Sequence, residues 1–255
     1  MPNIADHLQN VSVTIRSESD YAAGEGSGVI FARQDRDGNW VNFVWTAAHV
    51  IDNLRTERRV IVDGSSKTLV EFKDAKVVKS IRQNGRVVGR LELDAEVIKY
   101  SNAKDGHDLA LLRVRKLNFI KSGVTFYLGK DIPTLGTELY HVGSLLGYFG
   151  ANSMTDGIYS SHGRVIPSIN KKIFDQTTVA AFPGSSGGGV YLKKDGRYVG
   201  MVVRGAGETF NLIVPVRRMV DWATKNDLMW ALDPKAPLPN TLSKLNVETV
   251  GVKLK

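Results

Sequence analysis

Phe182-Pro183-Gly184-Ser185-Ser186-Gly187-Gly188-Gly189 is a pair of serines set between glycines. Such a run lets a tight loop project a hydroxyl while its neighbouring amides stay open. A nucleophile for acyl transfer needs both: an accessible Oγ, and N–H groups aimed at the oxyanion that its attack creates. Without a base the run is only linker-like material. Its weight comes from two stretches upstream, Thr46-Ala47-Ala48-His49-Val50 and Asp108-Leu109-Ala110-Leu111-Leu112. These add an imidazole and a carboxylate in the chain order His, Asp, Ser.

Together the three stretches resemble the trypsin/chymotrypsin-like serine peptidases, which use that chain order for the same constellation. In motif style they are closest to the HtrA/Deg-type protease domain. Gly28-Val29-Ile30 is similar to the strand that opens its first barrel, and Leu212-Ile213-Val214-Pro215-Val216 to the entry of its closing helix. The resemblance spans roughly residues 11–227 and implies an all-β fold of two six-stranded antiparallel β-barrels with a C-terminal helix. It divides the chain into 1–118, a barrel carrying His49 and Asp108; 119–228, a barrel carrying Ser186 plus the closing helix; and 229–255, a tail too short for the PDZ domain that HtrA proteins append.

The same resemblance distributes the roles. His49 is the expected general base, since an imidazole titrates near neutrality and can both take and return a proton. His107 is its rival because it adjoins Asp108, but neighbouring strand residues point to opposite faces. Asp108 would hold the His49 tautomer, and Ser186, which directly precedes the paired glycines, would be the nucleophile. The backbone N–H groups of Gly184 and Ser186 would form the oxyanion hole. Ala180 would lie at the base of the S1 pocket, with Val203, Arg204 and Gly205 as its wall. No acid occupies that base, so small or medium apolar P1 residues are expected and Lys or Arg disfavoured. Two departures stand out. Ser185 replaces the aspartate that digestive enzymes pair with a freed N-terminal amine, so no zymogen switch is expected. Gly189 replaces the usual proline, which implies a looser loop.

The strand reading supports two barrels. Alternating or apolar-rich segments run over 11–15, 26–31, 40–45, 59–62, 68–78, 86–100 and 109–114, one more than a six-stranded barrel needs. A second set covers 125–128, 137–144, 157–166, 177–182, 189–192, 198–204 and 210–214. Asn84-Gly85 reads as a hairpin turn, residues 1–9 as a lead-in, 215–227 as a helix begun at Pro215, and 250–254 as an edge strand.

Composition fits an ordinary globular enzyme: of 255 residues 42% are hydrophobic and 24% charged. The absence of cysteine excludes a disulfide framework. The net charge of +8 is spread over pairs such as Arg58-Arg59 and Lys171-Lys172 with no long basic run, which disfavours dedicated nucleic-acid binding. No apolar run reaches the length of a membrane span, and Asp6, Glu18 and Asp20 interrupt any signal-like core, so a cytoplasmic location is expected. Neither metal nor cofactor is required by this chemistry. The function expected is a serine endopeptidase acting on a protein or peptide through an acyl-enzyme, with a regulatory protein partner conceivable. The alternatives are a catalytically silent or partner-activated binding module of the same fold, and an esterase-like hydrolase.

Overall fold

The computed structural model describes residues 3–62, 64–167, 171–205, 209–240 and 242. Six antiparallel strands close a first barrel: β1 (Ser12–Glu18), β2 (Ala23–Gln34), β3 (Trp40–Thr46), β6 (Ala75–Gln83), β7 (Arg86–Ser101) and β8 (Leu109–Val114), in the order β1-β2-β3-β8-β7-β6. The surplus segment has a plain explanation. Residues 59–62 belong to β4 (Arg55–Val62), which pairs only with β5 (Ser65–Phe72) in a separate two-stranded hairpin. The 68–78 run is split between that hairpin and β6, because Lys73 and Asp74 lie outside both strands. The turn from β6 to β7 carries positive φ at Asn84 (52°) and Gly85 (77°), as the Asn-Gly pair dictates.

The second barrel closes in the order β10-β11-β14-β13-β12-β9, from β9 (Glu138–Leu145), β10 (Gly150–Val165), β11 (Ile173–Thr177), β12 (Gly189–Leu192), β13 (Tyr198–Gly205) and β14 (Asn211–Pro215). Residues 125–128 contribute only an isolated bridge from Phe126 to Tyr198. The strand expected over 177–182 lies earlier, and 178–182 is instead the irregular lead into the serine loop. Residues 4–10 form a short helix, α1 (Ile4–Asn10), capped by Asn3 Oδ1 accepting from Ala5 N–H, where only a lead-in was expected.

Helix α2 (Val216–Lys225) follows Pro215, which has no N–H to leave unsatisfied. It buries Met219, Trp222 and Ala223, and the chain then returns to the first barrel. There Trp45 Nε1–H donates to the Ala231 carbonyl at 3.0 Å, while Trp230 packs edge-on against Phe43. The start of the segment set aside as a tail is therefore seated on the first barrel. One apolar cluster runs across both barrels, joining Trp45, Leu111 and Phe43 to Tyr198, Met201 and Trp222. The strand expected over 250–254 lies outside the described residues.

Candidate active site

His49 sits in a single 3-10 turn, Ala48–Val50, immediately after β3. The buried Ala47 and Ala48 anchor the turn and leave the His49 side chain 32% exposed. Asp108 ends a loop across the barrel and is 3% exposed. That loop is wound around Asn102, whose Oδ1 accepts from Asp105 N–H at 2.6 Å and whose carbonyl accepts from Asp108 N–H at 3.2 Å. Asp108 has φ of 56°, a left-handed conformation that aspartate tolerates better than most residues. Its carboxylate meets His49 Nδ1 at 2.9 and 3.1 Å and the His49 backbone N–H at 3.0 Å. Imidazole orientation and tautomer are both fixed by these bonds.

His107 turns the other way, its ring centred 6.3 Å from that of Trp222. The separation does not come from strand alternation, because β8 begins only at Leu109; it comes from the left-handed backbone at Asp108. Burial pushes the His107 imidazole down to about 4.

The serine loop enters from the second barrel. Ser185 is 1% exposed, and its Oγ accepts from Phe182 N–H at 3.1 Å. A neutral hydroxyl thus closes the turn where a zymogen carboxylate would sit. Ser186 is half-buried, and its hydroxyl makes no hydrogen bond among the described residues. Its carbonyl accepts from Ser27 N–H at 2.7 Å, and this brings the loop beside the histidine turn. Gly26 marks the convergence: a Cβ there would lie 2.5 Å from Val50 Cγ2 and 3.0 Å from the Ser186 carbonyl. No hydrogen bond joins His49 Nε2 to Ser186 Oγ, a link that often tightens only when substrate is bound.

Around the serine loop, Ser185 N–H is taken by the Phe182 carbonyl, Gly187 N–H by Val202 and Gly188 N–H by Ser185. The N–H groups of Gly184 and Ser186 are the ones left without an acceptor among the described residues. Gly184 has φ of 94°, and a Cβ on it would come within 2.2 Å of the Ser144 carbonyl. The looseness expected at Gly189 is absent. That residue opens β12, pairs with Met201 and Val142, and accepts from the buried His141 Nδ1 at 3.0 Å.

Of the expected pocket residues, Ala180 is half-buried and Arg204 and Gly205 are exposed, whereas Val203 sinks its side chain into the main apolar cluster. Sequence reasoning missed Asn211. Fully buried, it donates from Nδ2 to the Val179 carbonyl at 2.7 Å, and its Oδ1 lies 2.2 Å from where a Cβ of Gly205 would stand. It therefore bridges the Ala180 segment to the end of β13; a lone amide before the apolar Leu212-Ile213-Val214 was the available signal. Arg218 on α2 was missed too. It is 6% exposed and donates to the carbonyl of His107, the residue before Asp108, at 2.5 Å. Burial pushes its guanidinium down to about 10, with the Asp108 charge acting the other way. No group of His, Cys, Asp or Glu suited to a metal ion occurs among the described residues.

Residues 26–201 match the family model of the trypsin-like peptidase domain. A probable periplasmic DegP-like serine endoprotease of Ectopseudomonas mendocina is 38% identical over 117 residues, 46% of this chain and 23% of that protein. The chloroplastic protease Do-like 5 of Arabidopsis thaliana is 26% identical over 204 residues, 76% of this chain and 55% of that one. The chain thus spans about a quarter to a half of the length of these curated relatives. Among solved structures, an HtrA-type protease with a tripeptide superposes with a TM-score of 0.63 at 17% identity, covering 90% of this chain and 64% of that one. Deg5 gives 0.62 at 20%, covering 91% and 95%. These two likenesses concern the fold.

The expectation of a cytoplasmic location is overturned by the relatives, which are periplasmic and chloroplastic. The expectation rested on residues of the folded domain, whereas targeting signals are segments separate from the fold they address. No described helix is long and apolar enough to cross a membrane. Motifs, double barrel and family match agree: the chain belongs to the trypsin-like peptidase family, alongside the HtrA/Deg serine endoproteases.

Proposed function

We propose that the chain is an active serine endopeptidase in which Ser186, His49 and Asp108 act as nucleophile, general base and orienting carboxylate. The observation that carries this reading is the Asp108–His49 pairing facing a loop whose Gly184 and Ser186 amides have no acceptor among the described residues. Ser186 Oγ attacks the scissile carbonyl and passes its proton to His49 Nε2. The imidazolium is stabilised by Asp108, and the oxyanion lies between the two amides. Collapse of the tetrahedral intermediate sends the proton from His49 to the leaving amine and leaves an acyl-enzyme; water activated by His49 then releases the acid. Protein or peptide is the substrate class, as the match to the trypsin-like peptidase domain and the endoprotease relatives support.

We assign residues 1–118 and 119–228 to the two barrel domains and 229–255 to a C-terminal segment. Ala180, Val203, Arg204 and Gly205 frame the P1 site. Asn211, lying against Gly205 and Val179, limits its depth and favours small or medium apolar side chains. A cationic P1 group would lose its hydration and find no carboxylate among the described residues that frame the site.

A second reading, a module made active only by a partner, is favoured by the unmade His49–Ser186 bond. A fluorophosphonate probe on the purified chain separates the two. Labelling of wild type that is lost in Ser186→Ala supports the active enzyme; labelling only after a partner is added supports the second reading. Cleavage of a P1-varied peptide library predominantly after Lys or Arg would overturn the pocket assignment.

A further inference from the structure

The strand β2 contains Gly24-Glu25-Gly26-Ser27-Gly28, glycines alternating with two polar residues. Successive strand side chains face opposite ways. The glycine face of this run lies against Val50, the Ser186 carbonyl and Val44, as the virtual Cβ contacts of Gly26 and Gly28 show. The other face holds Glu25 and Ser27, and both reach the second barrel.

Ser27 gives both its hydroxyl proton and its backbone N–H to the serine loop. Its Oγ donates to the Gly184 carbonyl at 2.7 Å and accepts from Ser144 N–H at 2.7 Å; its N–H donates to the Ser186 carbonyl, and its own carbonyl accepts from Thr46 Oγ1. A serine hydroxyl has one proton to give, and here it goes to the residue whose amide faces the oxyanion site.

The direction of that amide is set one peptide earlier. The Pro183 carbonyl accepts from Leu146 N–H at 2.7 Å. In a planar trans peptide C=O and N–H point opposite ways, so this bond turns Gly184 N–H away from Leu146, where it has no acceptor. Leu146 makes the bond from a left-handed conformation, φ 60°, with Gly147 following at 66°. A leucine is sterically disfavoured there and needs to be held in place. The brackets on either side both come from β2: Ser144 N–H on Ser27 Oγ, and Tyr148 N–H on Glu25 Oε2 at 2.8 Å. Arg90 adds a third hold, stacking 3.5 Å from the Tyr148 ring centre and donating to its carbonyl.

We propose that Ser27, assisted by Glu25, is a positioning residue of the first barrel that sets the direction of the Gly184 N–H and keeps the oxyanion hole formed without a zymogen salt bridge. This rests on the peptidase reading above. It acts through backbone carbonyls and touches no substrate.

The experiment compares wild type with Ser27→Ala, Glu25→Ala and Glu25→Gln by peptide turnover and by hydrogen exchange of residues 182–188. Loss of one oxyanion donor typically costs about 10²–10³ in turnover. Ser27→Ala is expected to lose about 10-fold to 100-fold in kcat with KM within about threefold, and to exchange faster in 182–188 than in β12 or β13. Glu25→Ala is expected to lose less. Glu25→Gln keeps an acceptor for Tyr148 N–H and is expected to restore turnover. Unchanged kcat and unchanged local exchange in Ser27→Ala would overturn the proposal. So would faster exchange throughout the molecule, which marks a merely structural serine. If the wild type shows no turnover the peptidase reading fails, and the local exchange alone decides whether Ser27 holds the loop.

Discussion

The His49–Asp108 pair and the Ser186 loop meet at one site but are held by opposite means. The pair lies within one barrel and is joined side chain to side chain, with the Asp108 carboxylate reaching both the ring and the backbone of His49. The serine loop is held by its backbone carbonyls: Ser27 takes Gly184 and Ser186 from the other barrel, and Leu146 takes Pro183. Side-chain truncation therefore removes the first arrangement outright. The second responds to whatever alters the fit between barrels or the space around the loop.

The hardest blow should fall on the groups proposed to react. Ser186→Ala and His49→Ala should each lower kcat by about 10⁴–10⁶ with the fold intact, measured as turnover beside circular dichroism. Asp108→Asn should cost about 10⁴, because an amide no longer fixes the tautomer that presents Nε2 to serine. A smaller loss is expected from Gly184→Ala, about 10²–10³. Its new methyl would press on the Ser144 carbonyl and strain a φ of 94°, turning one amide away from the oxyanion. If Gly184→Ala matched Ser186→Ala, the loop would be as indispensable as the nucleophile and the contrast between the two arrangements would fail.

Acid should distinguish the two sides more gently. His141 on β9 is fully buried beneath the serine loop, and burial pushes its imidazole down to about 4. In the unfolded chain it takes up a proton near pH 6.5. Between those values the unfolded chain binds more protons, so this contribution to stability is present above about pH 6.5 and lost as the pH falls towards 4. The slope reaches at most about 1.4 kcal/mol per pH unit for this one group. Urea unfolding at pH 7 and pH 4.5 measures it, and His141→Asn should flatten the dependence.

Much of this arrangement was legible in the chain because it is local. Three short strings supplied the residues proposed to react, and Asn84-Gly85 fixed a hairpin through backbone sterics alone. What escaped depends on partners distant in sequence. The lone amide before an apolar run marks Asn211 but not its partner Val179, and no neighbour of Arg218 points to the carbonyl before Asp108. The looser loop expected at Gly189 failed for the same reason, since its neighbours Val142 and Met201 become neighbours only when the barrel closes. The Glu25 and Ser27 alternation was visible as a pattern, but its direction required the second barrel.

The return of the chain after α2 has a consequence for how the molecule comes apart. Trp45 is tied to Ala231, and Trp230 rests on Phe43, so the last described turns leave the second barrel and close over the first. With an apolar cluster continuous from Trp45 through Trp222 to Tyr198, neither barrel can melt without exposing the other's interior. Heating should accordingly give one calorimetric endotherm whose van't Hoff and calorimetric enthalpies agree. Cutting the chain after Asn226 removes this clasp and should split the endotherm into two, the first barrel melting at the lower temperature.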